Sequence, residues 1–373
     1  MNPHNFIRNP YIFGKPIYKK EELYGRENII EAIKDNFTNN RKITLLHLQR
    51  RIGKTSLIAS LPQFFTEEQN TFKFVTFSFQ GYKNQSIPKI LNDLAEDIAA
   101  TIHGVPKQVR ELADTSYNFF HLFLPTIIDE YLSDKSLVLL LDEFDVLEED
   151  ATIFDRGEKL FYELERAVKQ EKKLFAILVF GRPLKDIFFL ETFLQKEDRK
   201  AIEIGLLDRE STQNLIVKPA QGILEYKADA INTIWQLSAG HPSLTQLLCF
   251  FIFNYCREKG IKKVTNNHVW LILDEAMKGG EAVLNGFLEP LNNDEKLFFR
   301  AVAEAQENFE EKQLQSIIRS WQSVGKSLVE EYGFLEERED RTGYKIKVEL
   351  VRLWLLKNYP LSNQEKRLME QNT

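Results

Sequence analysis

The sequence predicts an α/β fold with a parallel sheet, followed by helical segments, and three observations support this prediction. Residues 137–141 and 174–180 are unbroken apolar runs, which is typical of parallel strands buried on both faces. Residues 72–79 alternate strongly and predict another strand. Helical periodicity at 27–37 and in later segments separates these strands, which implies helices on both faces of the sheet.

The remaining elements divide the chain into five parts. Strands are predicted at 43–48 and 201–204, and helices at 87–102, 116–132, 155–170, 209–218, 226–238, 243–257 and 266–277. Helices near 294–304, 311–320 and 323–332, a hairpin turn at 340–343 and a strand at 344–348 form a winged-helix pattern. The predicted parts are an extended arm (1–21), a core (22–206), a helical lid (207–280), a winged-helix domain (281–361) and a flexible tail (362–373).

A phosphate-binding loop is predicted directly after the first strand, where the chain reads Arg50-Arg51-Ile52-Gly53-Lys54-Thr55-Ser56. Backbone N–H groups and a helix N-terminus would surround a triphosphate, Gly53 would allow close approach, and Lys54 would neutralise the β and γ oxygens. The Thr55 hydroxyl would hold Mg²⁺. A complete motif has Gly where this chain has Leu48, which argues against fast hydrolysis. The alternative is an ordinary helix start.

Two carboxylates, Asp142 and Glu143, follow the strand at 137–141. Carboxylates at the C-terminal end of a central strand are costly unless they meet a cation or water, and ligands bind at that edge of open α/β sheets. Asp142 would join the Mg²⁺ shell and Glu143 would polarise the attacking water. The alternative is an acidic helix start with Asp142 as its cap.

A candidate γ-phosphate contact, Arg182, follows the strand at 174–180. An Arg at this edge can reach the γ-phosphate and lose that contact after hydrolysis. The alternative is that Arg182 pairs with a surface acid or with Asp145.

Composition narrows the possible classes of protein. A length of 373 residues suggests two or three domains. The net charge of −6 provides no global basic field for nucleic acid or an anionic membrane. The only cysteines, Cys249 and Cys256, lack metal-ligand spacing, which favours a reducing compartment. The N-terminus is not a signal peptide, and no apolar run approaches the ~20 residues of a membrane helix. The sequence therefore predicts a cytoplasmic protein.

The order of the motifs resembles a known family. It consists of Tyr24-Gly25-Arg26, Arg51-Ile52-Gly53-Lys54-Thr55, Asp142-Glu143, Gly181-Arg182 and Gly240-His241-Pro242, followed by the winged-helix pattern. This arrangement resembles the STAND branch of the AAA+-related P-loop ATPases, and in particular its prokaryotic "archaeal ATPase" relatives, over residues 9–358. The resemblance implies a P-loop NTPase core that binds ATP or ADP with Mg²⁺.

The resemblance also implies roles for residues outside the loop. Tyr24, Gly25 and Arg26 would lie against adenine and ribose, and Pro242 would pack on the other side of the base. The lid would then close only around bound nucleotide. His241 would either reach a phosphate or serve a structural role. Some family members sense the β-phosphate with a winged-helix histidine; here none follows His268, so that contact is absent or made by a base such as Arg352.

The function implied by the resemblance is a slow ATPase switch that is closed with ADP and often oligomeric with ATP. Its sensor or effector would be a separate protein, and a role in antiviral defence follows by analogy. One alternative is a winged-helix DNA-binding ATPase of the origin-recognition type. Against it, residues 294–357 contain thirteen acids and eleven bases, and phosphate contacts need bases. A second alternative is a nucleotide-dependent scaffold that scarcely hydrolyses ATP.

Overall fold

A five-stranded parallel sheet organises the first half of the chain in the computed structural model, which describes residues 8–48, 52–65, 71–148, 156–181, 187–196, 201–307, 321–338 and 343–371. Its strands are β1 (Ile43–Leu48), β2 (Phe72–Ser78), β3 (Ser136–Asp142), β4 (Leu174–Phe180) and β5 (Ile202–Ile204). Their spatial order is β2-β3-β4-β1-β5, and every neighbouring pair is parallel. The predicted α/β fold with a parallel sheet is confirmed.

The two unbroken apolar runs occupy the middle of this sheet. All of β4 and residues 137–141 of β3 are buried. Successive residues join different apolar clusters, as Leu139 and Leu140 show, because successive side chains in a strand point to opposite faces. β2 lies at an edge of the sheet. Only Val75 and Phe77 of its side chains are fully buried, and the others are partly buried or exposed.

Helices cover both faces of the sheet. The α-helices are Glu27–Thr38, Lys54–Ser60, Ile87–Thr101, Lys107–Arg110, Arg156–Gln170 and Phe188–Lys196. Short 3₁₀ turns occupy Lys20–Glu22, Leu61–Phe65, Glu111–Asp114 and Phe144–Glu148.

The helix predicted at 116–132 is not a regular α-helix. It consists in order of an α turn, a π turn, an α turn and a π turn, at Ser116–Asn118, Phe119–Phe123, Leu124–Thr126 and Ile127–Tyr131. Pro125 lies inside this segment. Because proline has no N–H and its ring clashes with the carbonyl four residues earlier, a regular α-helical ladder cannot run through it.

The predicted lid is helical. Its helices are Arg209–Val217, Ala228–Ser238, Pro242–Lys259, Asn266–Leu271, Leu273–Gly279 and Glu281–Asn285. A short parallel ladder that the sequence did not predict joins β6 (Glu225–Tyr226) to β7 (Lys263–Val264). It explains why the helix predicted from 226 begins only at Ala228.

Gly240, the first residue of the Gly-His-Pro turn, contacts Leu207 at the start of the lid. The N–H of Leu207 donates to the carbonyl of Gly240 at 2.9 Å. Gly240 has a φ of +76°, and a Cβ there would lie 2.2 Å from the carbonyl oxygen of Leu207. We therefore expect Gly240→Ala to lower the free energy of unfolding by about 2–5 kcal/mol, because overpacking adds to the left-handed strain. Urea denaturation measures this loss.

Gly260 provides a matched control for that substitution. It caps the Pro242–Lys259 helix at φ +68°, and a Cβ there would meet nothing within 4 Å. Gly260→Ala should therefore cost only the conformational strain, about 1–2 kcal/mol. Equal losses of unfolding free energy in the two variants would show that the contact with Leu207 does not destabilise Gly240→Ala.

The C-terminal part contains further helices and a hairpin. The helices are Asn293–Glu307, Gln322–Glu330, Glu349–Asn358 and Asn363–Gln371, and β8 (Leu335–Glu337) pairs antiparallel with β9 (Tyr344–Ile346). The predicted helix at 311–320 and most of the hairpin turn lie outside the described residues, so the winged helix stays a prediction. Phe287 and Phe334 pack against each other, with ring centroids 4.9 Å apart, within a cluster that also contains lid residues. The predicted lid and winged-helix parts therefore share one apolar core.

Residues 363–371 of the predicted flexible tail are helical. The Arg300 guanidinium donates to Glu365 at 2.7 Å and to the backbone carbonyls of Tyr359 and Pro360. The contact with Arg300 lowers the pKa of Glu365 to about 2. Ion pairs and backbone hydrogen bonds can order a polar segment in this way.

Candidate functional site

The start of the Lys54–Ser60 helix lies just beyond the C-terminal end of β1. Gly53 caps this helix in the left-handed conformation, with φ +88°. A Cβ at Gly53 would meet no atom within 4 Å, so the space beside its backbone is open. Glycine is favoured here by its φ, and the open space permits a ligand to approach the helix N-terminus closely. Arg50 and Arg51 lie outside the described residues, and so does the path of the loop between Leu48 and Ile52.

The structure brings Lys54 together with both predicted carboxylates. Its Nζ lies 3.1 Å from Asp142 Oδ1 and 2.8 Å from Glu143 Oε1. All three side chains are largely buried, with exposed fractions of 20%, 14% and 29% in that order. Residues almost ninety positions apart in the sequence thus meet beyond the C-terminal ends of β1 and β3, because these two strands are parallel and end at the same side of the sheet.

Local geometry determines the orientation of the two carboxylates. Asp142 Oδ1 accepts the backbone N–H of Glu143 at 2.8 Å, and Glu143 has a φ of +55°, which is uncommon for a residue other than glycine. Burial raises the pKa of Asp142, and the nearby Lys54 ammonium opposes that rise. A cation near Asp142 therefore stabilises its ionised form.

The donor set at this edge fits Mg²⁺. Magnesium keeps several waters and is usually bound by one or two protein oxygens together with substrate phosphates. Asp142 and the exposed hydroxyl residue Thr55 are such donors. Among the described residues no group of three or more His, Cys, Asp or Glu side chains is arranged to hold a metal.

Asp145 connects the turn after β3 to the end of β4. This carboxylate is buried, and its Oδ1 accepts the backbone N–H of Gly181 at 3.0 Å. Arg182 follows immediately but lies outside the described residues. The choice between a phosphate and Asp145 as the partner of Arg182 therefore stays open.

A cavity of about 480 Å³ extends from the phosphate-binding loop to the predicted lid. The predicted site residues that line it are Tyr24, Arg26, Ile52, Gly53, Lys54, Thr55, Ser56 and Pro242. Its volume is in the range of small-molecule sites. Asp142 and Glu143 do not line this cavity but reach it through Lys54.

The Tyr24-Gly25-Arg26 turn is held by packing against the lid. A Cβ at Gly25 would lie 2.4 Å from Ser211 Cβ. The Arg26 guanidinium is buried and donates to the carbonyls of Gly205 and Ile52 at 2.9 and 3.1 Å. Burial lowers the pKa of Arg26 to about 10. Arg26 thus joins the turn to the phosphate-binding loop, whereas Gly25 does not line the cavity.

His241 does not line the cavity, so we leave it out of the proposed site. Its side chain is buried, its Nδ1 accepts the backbone N–H of Leu244, and its ring packs on Phe287. His241 is the N-cap of the Pro242–Lys259 helix, and Pro242 lies in the first turn of that helix. This geometry fits a structural role for His241 in helix capping.

The predicted arm crosses from the lid to the core and forms one wall of the cavity. Tyr11 is buried, and its hydroxyl donates to the carbonyl of Ile216. Further along, the N–H of Ile17 donates to Ser56 Oγ at 3.0 Å. Residues between these anchors line the cavity. The Pro- and Gly-punctuated sequence predicted an extended arm, but no local signal indicated its partners.

The C-terminal bases do not reach the cavity in the part of the chain that the structure describes. Arg352 is buried and forms an ion pair with Glu349 at 2.5 Å, and it does not line the cavity. The predicted replacement of the histidine contact by Arg352 is therefore not supported by the geometry.

None of the helices described is both long and apolar enough to cross a membrane.

Comparison with known proteins identifies the fold. No family model and no curated protein matches the chain. Among solved structures, the Walker-type ATPase PABY2304 of Pyrococcus abyssi is 15% identical, with a TM-score of 0.64 over 92% of this chain and 98% of that one. The Aeropyrum pernix ORC2 protein, in ADPNP–ADP complexes, is 13% identical, with a TM-score of 0.62 over 98% of each chain.

The chain has a P-loop NTPase fold. Its structural neighbours are AAA+ ATPases, and identities of 13–15% establish the fold alone. The STAND type therefore stays a prediction. In this fold, residues of the phosphate-binding loop, the arm and the lid line one cavity, and the two carboxylates contact its wall through Lys54.

Proposed function

We propose that this protein is an Mg²⁺-dependent ATPase whose nucleotide state controls the arrangement of its core and lid. The observation that carries the proposal is the contact of Lys54 with Asp142 and Glu143, at one end of a cavity whose other end is formed by the lid residue Pro242. A nucleotide in this cavity would contact both parts at once, so its binding would favour one arrangement over others.

The residues have distinct roles in the proposed reaction. Lys54 and the N–H groups from Gly53 onward would bind the β and γ oxygens, and Thr55 and Asp142 would hold the magnesium. The bound ion would neutralise charge on the β- and γ-phosphates. Glu143 accepts a hydrogen bond from a water and orients it toward the γ phosphorus. Attack forms the new phosphorus–oxygen bond, the bond to the β-phosphate oxygen breaks, and ADP, phosphate and a proton are released.

A switch role and a separate partner protein complete the proposal. The family resemblance supports a STAND-type switch that assembles with itself or with a sensor or effector protein, in the cytoplasm and, by analogy, in prokaryotic defence. Leu48, in place of the first loop glycine, supports slow turnover. The same site without turnover would act as a nucleotide-dependent scaffold.

DNA binding is the second candidate, because the structurally similar A. pernix protein is an ORC protein. The charges of the described hairpin region argue against it. Lys345 pairs with Glu336 at 2.9 Å and Lys326 with Glu330 at 3.7 Å. These acids offset the bases that phosphate contacts need.

Three measurements on the purified protein test the proposal. We expect fluorescent ATP to bind, phosphate release to require Mg²⁺ and stop with EDTA, and ATP to shift the elution volume relative to ADP. Binding without phosphate release would favour the scaffold. A salt-sensitive DNA gel shift below micromolar protein would favour the second candidate. Absence of nucleotide binding would contradict the ATPase switch, the scaffold and the DNA-binding ATPase alike.

A further inference from the structure

The end of the cavity away from the phosphate-binding loop is mostly apolar. The arm residues Ile12 and Pro16 line it together with the lid residues Leu215, Pro242 and Val283. Such a wall suits the flat face of a nucleobase, and the edge of the base needs polar partners. Lys15 and Ser243 also line the cavity, but Lys15 is exposed and Ser243 is only partly buried. A ligand site of this kind usually contains a few polar groups that determine orientation.

Gln246 is a polar side chain at this end. It lies on the Pro242–Lys259 helix, one turn after Pro242, and only 5% of it is exposed. Its Oε1 accepts the backbone N–H of Ile12 at 3.1 Å. Because a backbone N–H can only donate, the carboxamide oxygen must face Ile12, and this contact determines which way the amide points.

The amide nitrogen of Gln246 has hydrogens to donate, and no residue within the described ranges accepts one. The other buried polar side chain that lines the cavity, Arg26, donates instead to the carbonyls of Gly205 and Ile52. The Gln246 nitrogen is not among the fully buried polar atoms that lack a partner in the described ranges, so it is open to an acceptor on a ligand in the cavity.

We infer that Gln246 recognises the base, by donating its amide N–H to a ring nitrogen of adenine. This inference rests on the proposed function, since it assumes that the triphosphate binds at Lys54. The contact would also connect the base to the arm, because the same carboxamide holds Ile12. Gln246 is thus a binding residue that the sequence motifs did not indicate.

The test uses Gln246→Glu, which keeps an acceptor for the Ile12 N–H and replaces the donor by a carboxylate oxygen. We expect the Kd for ATP at pH 8 to rise about tenfold, as for one lost hydrogen bond of about 1.4 kcal/mol. Inorganic tripolyphosphate, which has no base, should compete equally well with wild type and variant. One of 1-, 3- or 7-deaza-ATP should bind wild type about as weakly as the variant binds ATP, and the variant should not distinguish that analogue from ATP.

Gln63→Glu is the matched control, because Gln63 also holds the arm but lies outside the cavity. Its Oε1 accepts the N–H of Lys20 at 3.2 Å, and its amide donates to the carbonyl of Tyr18. This variant should bind ATP within twofold of wild type. An equal loss in the control would assign the effect to the arm and overturn the inference.

The outcomes separate this inference from the proposed function. If wild type binds neither ATP nor tripolyphosphate, the proposed function fails. If wild type binds both and Gln246→Glu binds ATP unchanged, only the inference fails. If the variant loses tripolyphosphate as well, the added charge acts on the phosphates, and the role in base recognition is overturned.

Discussion

Replacing Lys54 with Ala should raise the Kd for ATP at least about 100-fold, the largest effect on binding that we expect from one substitution. Charge-assisted hydrogen bonds contribute about 1.5–3 kcal/mol each, and about 2.7 kcal/mol corresponds to 100-fold in affinity. The loss is also electrostatic. In the wild type the Lys54 ammonium lies 3.1 Å from Asp142 and 2.8 Å from Glu143. Without this ammonium, the two carboxylates would repel the incoming phosphates. Titration with fluorescent ATP measures the effect.

Lys169→Ala is the control for this prediction. Lys169 is 60% exposed and pairs with Glu165 on the same helix, at 2.7 Å. Removing it changes the net charge of the protein by the same amount but leaves the cavity intact. ATP affinity should stay within twofold of wild type. If Lys54→Ala bound ATP as well as this control does, the phosphate-binding role of the loop would be wrong.

The second large effect is expected for Glu143→Gln, which should lower kcat about 10²–10⁴-fold while ATP still binds. Positioned acid–base groups contribute factors of this size. Glutamine has nearly the same shape, and it experiences the same backbone strain at φ +55°, so the fold should persist. Phosphate release under saturating ATP measures kcat, and the binding titration measures affinity separately.

Glu336→Gln is the control for the second substitution, because Glu336 pairs with Lys345 in the hairpin, at 2.9 Å, and does not line the cavity. It should leave phosphate release unchanged. Unaltered turnover in Glu143→Gln would disprove the assignment of Glu143 as the water-orienting residue. Unaltered turnover combined with lost ATP-dependent assembly would instead indicate a role for Glu143 in the switch.

The phosphate end of the site was predictable because its signals are local. Gly53 and Lys54 follow one strand directly, and Asp142 ends another. Parallel strands place such residues at the same edge, so strand polarity alone predicted that Lys54 and Asp142 would meet. The ion pair at 3.1 Å confirms their proximity. Their roles in binding and hydrolysis stay proposals.

The base end of the site was less predictable because its contacts join distant parts of the chain. Ile12 meets Gln246 across 234 positions, and neither residue belongs to a recognisable motif. For His241 the residue pattern was compatible with two roles, and only its burial and its bond to Leu244 distinguish them. The helix at 363–371 likewise depends on Arg300, some sixty residues earlier.

The sequence by itself determined the strand polarity, the class of fold and the loop that meets the two carboxylates, because hydrophobic patterning and short motifs act within one or two elements. Only the tertiary structure decided which side chains enclose the cavity. Burial and hydrogen bonding between the arm, the core and the lid depend on packing across the whole chain, and this packing places Gln246 in the wall of the cavity and leaves His241 outside it. The local sequence does not predict which of these side chains lines the cavity.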